Sequence, residues 1–402
     1  MTLVTIDTYH AANEALKQKD LRQALYDEGA VIMNKVLVNL HGDEHRTRRN
    51  VETQVFRRDF FRYYEHEVFP RTLEETIAPF LPRGKRSGEM DVVDFGYRVM
   101  VNLTVDFTGI DRPTRSPEET EQLIDMLRLF SRTAILAHST QDRDAIRSEA
   151  LTALDRFQEE YVDPSVARRL TLLERVKAGE LAEDDLPRDI LMVLLKHQNE
   201  VQLADDVRLR EMAFFALAGA HTSIHTLGHV MHEIFTWCDA HPEDRRRFEN
   251  DPLFVQRAVH ESIRLHPSSP VAARRSLCPV HLRDGDVETD TAVNISLHDA
   301  NRDPAVFGSD AAQFNPHRTL TGKVSPYGLS FGLGMHACLG LNLAAGSLPK
   351  PDTDPAEHHY GTIAMIVRTL LDHDARPKPA SPPAKDTTTA RDLWATYPIT
   401  LG

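Results

Sequence analysis

The fold of this chain is decided by the ten-residue stretch Phe331-Gly332-Leu333-Gly334-Met335-His336-Ala337-Cys338-Leu339-Gly340. Its glycines let the backbone pass close to a flat or bulky group, and they surround a single cysteine. The Ala/Leu pattern that follows predicts a helix over Leu339–Ala345, whose first N–H groups would stabilise a thiolate at Cys338. A buried structural cysteine would explain Cys338 itself, but neither the glycines nor Phe331. The stretch therefore indicates a thiolate held against something bulky.

The pattern Phe-Gly-x-Gly-x-His-x-Cys-x-Gly resembles the haem-ligand loop of the cytochrome P450 superfamily at every fixed position. The resemblance implies one b-type haem, with Cys338 as the axial thiolate ligand of the iron and His336 beside a haem propionate. It also places Phe331 and Gly332 against the cofactor. An axial thiolate pushes electron density onto the iron and favours O–O cleavage. The implied activity is an O2-dependent monooxygenase acting on a small apolar organic substrate, with electrons from a separate ferredoxin and its reductase.

A second motif lies on a predicted helix over Leu253–His266, where Glu261 and Arg264 are three residues apart and share one face. Alone, this pair would be a surface ion pair of little energetic value. Downstream, the run around Phe314-Asn315-Pro316-His317-Arg318 also resembles the family. The resemblance implies a buried triad of Glu261, Arg264 and Arg318 that holds the haem-loop side of the fold. Its role is structural, since buried ion pairs are weak net stabilisers.

Two further positions match the family's propionate-binding helix. His45 and Arg49 are one turn apart on a predicted helix over Asp43–Arg58. The resemblance implies that both contact the haem propionates. One of Arg274 and Arg275 should supply another propionate contact, and spacing alone does not choose between them.

The longest predicted helix runs from Asp205 to Cys238, and its centre reads Ala218-Gly219-Ala220-His221-Thr222-Ser223. By resemblance this helix crosses the distal face of the haem, with Thr222 taking part in oxygen activation. The acid expected beside that threonine is replaced by His221, which could relay protons because an imidazole titrates near neutral pH. The expected walls of the substrate pocket are Phe214, Phe215, Ala218, Val271 and Ala272.

The same helix supports a different hypothesis. His221, His225, His229 and His232 recur at spacings of four, four and three, so they form a histidine stripe on one face. Two histidines at i and i+4 can bind a metal, and a metal-dependent enzyme is therefore a rival hypothesis. The stripe matches neither H-E-x-x-H nor its inverse. Two more hypotheses keep the haem: a biosynthetic enzyme that catalyses oxidative coupling, and a non-catalytic haem sensor.

Composition narrows the class of protein. The chain has 402 residues, a formal net charge of −13, and three cysteines without Cys-x-x-Cys spacing. These values argue against a nucleic-acid binder, a disulfide framework and a zinc finger. No apolar run is long enough to span a membrane and no signal peptide is evident, so we expect a cytoplasmic protein. Locally, segment 45–62 holds six arginines against two acids, which suggests either docking of an acidic electron donor or a solvated basic helix.

The predicted architecture is mainly α with a small β region, in one haem domain over residues 1–402. Helical periodicity dominates the first two thirds, and short β-prone pieces follow Val271. The N-terminus is short for the family, which predicts a main sheet that is incomplete or differently built at its edge. Gly346, Pro349, Pro351 and Pro355 interrupt the helix after the cysteine, which predicts an inserted loop of about fifteen residues on the proximal side.

Overall fold

The structure is a computed structural model that describes residues 3–82, 87–283, 285–350 and 352–402. The helices of its first half are α1 (Tyr9–Ala15), α2 (Ala30–Met33), α3 (Gly42–Glu52), α4 (Arg58–Tyr63), α5 (Phe69–Ile77), α6 (Val92–Thr108), α7 (Pro117–Ala134), α8 (Arg143–Phe157) and α9 (Asp163–Lys177). The later helices are α10 (Ile190–Lys196), α11 (Gln198–Val201), α12 (Asp205–Ala240), α13 (Pro242–Asn250), α14 (Pro252–Leu265), α15 (Leu297–Ala300), α16 (Pro304–Phe307), α17 (Leu341–Ala345) and α18 (Thr362–Asp372).

The strands are β1 (Leu3–Ile6), β2 (Leu21–Gln23), β3 (Gly88–Asp91), β4 (Val271–Ser276), β5 (Val280–Leu282), β6 (Gly285–Val287), β7 (Ala292–Ser296), β8 (Arg376–Pro377), β9 (Ala384–Lys385), β10 (Trp394–Thr396) and β11 (Pro398–Leu401). The largest sheet has the order β1-β7-β4-β2, with β1 parallel to β7 and the other pairs antiparallel. The mainly α architecture with a small β region is confirmed. The edge of the main sheet is built from the N-terminal residues 3–6, because β1 pairs with β7 from Leu3 to Ile6.

Local sequence explains where the long helices begin and end. The Asp91 carboxylate accepts hydrogen bonds from the N–H groups of Val93 and Asp94 at the start of α6, which ends at Gly109 in a left-handed conformation. Ser116 caps α7 in the same way. The helix predicted over Asp43–Arg58 is instead broken, since α3 ends at Glu52 and a short 3-10 turn precedes α4.

Helix α12 is 36 residues long and lies at the centre of the molecule. It packs against α6, α7, α14 and α18, and most of its residues are buried. Side chains from these helices form the larger hydrophobic core. A smaller core joins the main sheet to α1 and α15. Helix α14 packs against α12, and residues of α14 and β4 line the cavity between α12 and the Cys338 loop.

The predicted insertion lies between α17 and α18. Residues 346–361 leave the helical path and return to the same point, since the N–H of Ser347 donates to the carbonyl of His359 at 2.9 Å. A Cβ added at Gly361 would lie 2.4 Å from the nitrogen of Gly346, so the two ends of the loop touch. The Gln256 side-chain amide donates to four carbonyls of this junction. Of the four residues that predicted the interruption, Pro351 lies outside the described residues.

None of the helices in the described part of the chain is long and apolar enough to cross a membrane.

Candidate active site

An internal cavity of about 310 Å³ lies between the middle of α12 and the loop that carries Cys338. The sequence-predicted residues on its wall are His45, Arg49, Phe214, Phe215, Ala218, Thr222, Ala272, Arg274, Phe331, Gly332, His336 and Cys338. Val271, His221 and Arg275 are not among the lining residues in the described part of the chain. The structure therefore brings most of the predicted residues together around one space, although they come from several separate segments.

Cys338 lies on the floor of this cavity. Its side chain borders cavity space and is therefore accessible, although it lies deep inside the protein. The backbone N–H of Cys338 donates to the carbonyl of Phe331 at 2.9 Å, which closes the loop. Burial raises the pKa of the Cys338 thiol, while the N–H of Gly340, the charge of Arg49 and the N–H of Leu341 oppose that rise. A bound metal ion would lower the pKa of Cys338 further in the same direction as these groups, because metal binding deprotonates a thiol outright.

His336 and His45 lie together at one end of the cavity. Their rings meet edge to face, with centroids 4.7 Å apart. Both ring nitrogens of His336 and the Nε2 of His45 are buried and have no hydrogen-bond partner among the described residues. Burial, followed by nearby positive charges, lowers the pKa of His45 to about 4 and that of His336 to about 3. Two buried imidazoles with unused nitrogens indicate a missing polar group here.

Arginines complete this polar end of the cavity. Arg49 reaches the Cys338 loop, where its Nη2 donates to the carbonyl of Ala337 at 2.6 Å. Arg274 is buried and donates to the Gln23 side chain at 2.6 Å. Burial lowers the pKa of Arg274 to about 10, and the group that opposes this shift is the phenol of Tyr26 rather than a carboxylate. Arg275 instead points to the surface and pairs with Asp290 at 2.9 Å. The question left open by spacing is thus decided by strand alternation: Arg274 faces the cavity and Arg275 does not.

One face of α12 forms the opposite wall. Phe214, Phe215, Ala218 and Thr222 border the cavity, and the Thr222 hydroxyl donates to the carbonyl of Ala218 at 2.9 Å. This wall is close to α6, because a Cβ at Gly219 would come within 2.7 Å of Thr104. The small residues at 218 and 219 therefore leave open space beside Thr222.

His221 lies on a different face of α12 from Thr222. Its Nδ1 is 3.1 Å from the Nε2 of His225, and the two rings are in contact. Burial lowers the pKa of both groups, that of His225 to about 4. His221 does not line the cavity and its ring contacts His225 instead, so it cannot pass a proton directly into the cavity. Ser223, which does border the cavity, shares that wall with Thr222.

The ion-pair triad lies beneath the Cys338 loop. Glu261 accepts from the Nε and Nη2 of Arg264 at 2.8 and 2.7 Å, and from the Nε of Arg318 at 3.0 Å. Arg264 also donates to the carbonyls of Asn301 and Ala311. With these bonds, α14 is tied to the segment that precedes the loop.

The histidine stripe does not converge. The Nε2–H of His229 donates to the carbonyl of Asp392 at 2.8 Å, whereas His232 contacts the hydroxyl of Tyr397. Across the described residues, the one group of His, Cys, Asp and Glu side chains whose ligand atoms meet is His229, His266 and Asp392. Only one of its members belongs to the stripe. The metal site hypothesised on four stripe histidines is therefore wrong as a ligand set.

Sequence reasoning missed several residues of the site. Tyr26 is on the cavity wall, and Arg391 is buried beside His225 although it follows α12 by 150 residues. A second missed feature is a buried cluster in which Arg48 pairs with Glu52 and Glu211, joining α3 to α12. The spacing of four residues between Arg48 and Glu52 could have predicted their ion pair on one helix face. The remaining contacts join distant segments and leave no local pattern.

The residues around the cavity fit an iron porphyrin. Cys338 offers a thiol to the cavity space, and His45, His336 and Arg274 offer buried donors that lack an anionic partner in the described residues. A thiol inside the cavity and polar donors at one end of it match a flat, largely apolar group that carries anionic substituents along one edge. Without such an anion, the buried guanidinium and imidazoles would remain undersatisfied.

Comparison with known proteins places these features in context. The family model described as "Cytochrome P450" matches residues 250–348, which include the Glu261 triad and the Cys338 loop. Pulcherriminic acid synthase of Bacillus subtilis is 25% identical over 353 residues, which cover 85% of this chain and 79% of that protein. The biotin biosynthesis cytochrome P450 of Bacillus subtilis is 22% identical over 325 residues, covering 79% and 71%.

The fold of this chain is similar to that of solved structures over nearly its whole length. The crystal structure of CalO2 has a TM-score of 0.73 at 19% identity and covers 99% of this chain and 90% of its own. P450BioI, solved in complex with an acyl carrier protein that carries hexadec-9Z-enoic acid, has a TM-score of 0.74 at 18% identity, covering 99% and 92%. At these identities the structural likeness concerns the fold.

Proposed function

The chain belongs to the cytochrome P450 superfamily, and from that membership we propose that it oxidises a small, mainly apolar organic molecule with O2. The resemblance and the fold class predicted from the sequence are confirmed, and the family makes the chain a haem-thiolate monooxygenase. The observation that carries the proposal is the Cys338 thiol facing a cavity whose far wall is Thr222 on α12. We further propose that residues 1–402 act as one haem domain in the cytoplasm.

We assign the cofactor as b-type haem. Cys338 would be its axial ligand, and His45, His336, Arg49 and Arg274 would hold its propionates. Bound there, the haem supplies O2 binding and O–O cleavage, which an axial thiolate favours. The chain's own part is to exclude water and to keep the thiolate in place, which the N–H groups of Gly340 and Leu341 support.

At the distal wall, Thr222 would orient a proton donor. Its hydroxyl now donates to the carbonyl of Ala218, a bond that could be exchanged for one to a water in the cavity. His221 and His225 are neutral at pH 7 because burial lowers their pKa values, so one ring donates and the other accepts in their 3.1 Å contact. A relay through this pair would be indirect, and it needs a proton to enter at one outer ring nitrogen while another leaves at the other. Replacing His221 by Ala should reduce turnover more than replacing it by Asp. Equal losses would contradict a relay at this residue.

The electron donor is proposed to be a ferredoxin. The charge excess of segment 45–62 is smaller in the structure than in the sequence, because Arg48 is buried and Arg46 and Arg62 pair with Asp43 and Glu357. The side chain of Arg58 lies outside the described residues. Arg62 pairs with the inserted loop at 2.5 Å, so the insertion and α4 form one surface on the proximal side.

The test is the absorption spectrum of the haem-loaded protein after reduction and addition of CO. We expect the red-shifted Soret band typical of thiolate ligation, and Cys338→Ser should abolish it. Cys278→Ser is the matched control, since Cys278 is a half-buried thiol away from the cavity. His229→Ala should also leave the band intact. Absence of the red shift in the wild-type protein would refute the proposal and leave a haem sensor in its place.

A second outcome of the same chemistry is oxidation without hydroxylation. The names of two relatives, pulcherriminic acid synthase and the biotin biosynthesis cytochrome P450, support a biosynthetic role in which this outcome belongs. In that case the distal residues would have the same roles, and the product would carry a new bond or unsaturation instead of a hydroxyl. Mass analysis of the product under 18O2 separates the two, because only hydroxylation retains the label.

A further inference from the structure

Arg391 is a buried arginine that is not part of the proposed haem site and whose guanidinium is only partly hydrogen-bonded within the described fold. It lies in the loop between β9 and β10, which pairs with segment 138–140 through the bonds from Ala390 and Thr140. Its residue exposure is 7%. Its Nη1 donates to the carbonyl of Ser268 at 2.9 Å, whereas Nε and Nη2 are buried without a hydrogen-bond partner among the described residues.

The open edge of Arg391 is the edge that two more buried arginines of this chain use for carboxylates. Arg264 binds Glu261 through Nε and Nη2, at 2.8 and 2.7 Å. Arg169 binds Asp189 through the same two atoms, at 3.1 and 2.7 Å. This edge presents two parallel N–H groups that match the two oxygens of a carboxylate. Arg391 is thus prepared for a bidentate anion that the described chain itself does not provide.

The acids nearest in sequence have different partners. Asp392 pairs with Lys385 at 2.6 Å, and Asp386 accepts from the N–H and hydroxyl of Thr388. Burial lowers the pKa of Arg391, and the group that opposes the shift is the phenol of Tyr26. A buried guanidinium without a counter-charge is costly, so a partner from outside the chain would be bound with a substantial gain.

Arg391 lies next to the proposed active site. It lines a side cavity of about 100 Å³ together with His225 and His229. The side cavity and the main cavity share the wall residues Thr226 and Ser268, whose hydroxyls are 3.1 Å apart, so the two spaces adjoin at that contact. The volume of the side cavity is well above the roughly 10–15 Å³ that a single water needs. A substrate could place one end against Arg391 and, by displacing the Thr226–Ser268 contact, extend into the main cavity.

The charges around Arg391 favour a single negative charge. His138, His221 and His225 each have one buried ring nitrogen without a partner among the described residues, and the charge of Arg391 helps to lower the pKa of all three. They are neutral at pH 7, which leaves the guanidinium as the full charge of this cluster. A cation at the neighbouring His229 would meet the positive charge of Lys385 as well as the negative charge of Asp392.

We infer that Arg391 binds a carboxylate of the substrate, so that the substrate of this enzyme is an apolar molecule with one acidic end. The inference rests on the proposed function and refines it, because the substrate predicted from the sequence was only apolar. Arg391 is then a specificity-determining residue, since an uncharged analogue would leave its two N–H groups unpaired.

The experiment titrates the haem-loaded protein with straight-chain carboxylic acids of six to sixteen carbons and with the matching primary alcohols, following the substrate-induced Soret shift. A series is needed because chain length sets how far the hydrocarbon reaches from Arg391. We expect at least one acid to bind about tenfold or more tightly than its alcohol. Arg391→Gln should remove that preference, Arg391→Lys should keep part of it, and the exposed-arginine control Arg143→Gln should not change it.

The outcomes separate this inference from the proposed function. The reduced CO spectrum of each variant should show intact thiolate ligation, which tests the haem site independently. Equal binding of acids and alcohols, no response to any acid, or an unchanged preference in Arg391→Gln would overturn the inference and leave the function standing. Loss of haem from Arg391→Gln would also overturn it, because the guanidinium would then serve the cofactor.

Discussion

The buried cluster of Arg48, Glu52 and Glu211 makes a quantitative prediction about how α3 is held against α12. All three side chains are at most 2% exposed. Arg48 donates to Glu52 at 3.2 Å, forms an ion pair with Glu211, and donates to the carbonyl of Lys35. Glu211 in turn accepts from the N–H of Leu37 at 3.1 Å. Because His45 and Arg49 are also on α3, this cluster positions the polar end of the haem site.

Two carboxylates share one guanidinium here, so only one of them is expected to be ionised. Burial and then the charge of Glu211 raise the pKa of Glu52 well above its ordinary value. Glu52→Gln, which copies a protonated acid, should therefore cost only about 1 kcal/mol or less. Glu211→Gln should cost about 2 kcal/mol through the lost charge-assisted bonds, because Glu52 can then ionise and pair with Arg48.

The double variant leaves Arg48 buried without any counter-charge. Losing the partner of a buried charge costs about 3–5 kcal/mol, so the double variant should be destabilised by about 5 kcal/mol. The loss should exceed the sum of the single losses by about 2 kcal/mol. For a domain of this length, 1 kcal/mol corresponds to about 1 °C in Tm, so we expect a shift of about 5 °C in thermal unfolding at fixed scan rate.

The pH dependence follows from the sign of the shift. A carboxyl whose pKa is raised on folding binds more protons in the folded state, so it lowers stability as pH rises from the ordinary value of 4.5 to the raised value. Glu52→Gln removes this loss, and the variant should gain stability relative to the wild type as the pH rises above 4.5 toward the raised pKa of Glu52. Additive single losses, with Glu52→Gln as damaging as Glu211→Gln at all pH values, would refute the shared-proton account.

Three further predictions concern the haem site and the insertion. Arg274→Gln should lower haem occupancy after reconstitution by several-fold, while Arg275→Gln should leave it unchanged, as read from the absorbance ratio of haem to protein; equal retention would argue against a propionate contact. Thr222→Ala should consume reductant with several-fold less product per electron, measured as product formed per NADH oxidised in a reconstituted ferredoxin system, and tight coupling would contradict its distal role. Gly361→Ala should lower the free energy of unfolding by about 3 kcal/mol or more, since its backbone is left-handed (φ 85°) and the new Cβ would clash with the loop junction, whereas Gly179→Ala, with φ 74° and open space, should cost only about 1 kcal/mol; similar losses would show that backbone strain alone matters.

Much of the helical framework could be predicted because its signals are local. Periodicity located α12 to within two residues at its C-terminal end, and the proline and glycine pattern after Cys338 located the insertion between α17 and α18. Strand β4 was missed because a six-residue run containing two arginines does not show the usual apolar alternation of a strand. In the structure its even-numbered residues face inward, which is why Arg274 is buried.

Motifs in the sequence predicted most of the residues that line the cavity, but they did not predict which neighbouring side chains point away from it. Cys338 and Thr222 both line one cavity, and the roles that the resemblance implied for them stay predictions. His221 was expected in that cavity, but it does not line it and contacts His225, four residues along the same helix, instead. Val271 is likewise displaced from the wall by the alternation of a strand, while its neighbour Ala272 is on the wall.

By itself, the amino-acid sequence determined the superfamily, the thiol that faces the cavity and the helix opposite to it, because these are encoded in short contiguous patterns. The three-dimensional packing decided which arginine of the Arg274–Arg275 pair faces inward and which acids pair with Arg48. It also placed Arg391 beside His225 of α12, with two N–H groups that have no partner among the described residues. Such contacts join segments that are far apart in the chain. Burial gives them their energetic weight, and burial is a property of the folded chain that no local pattern contains.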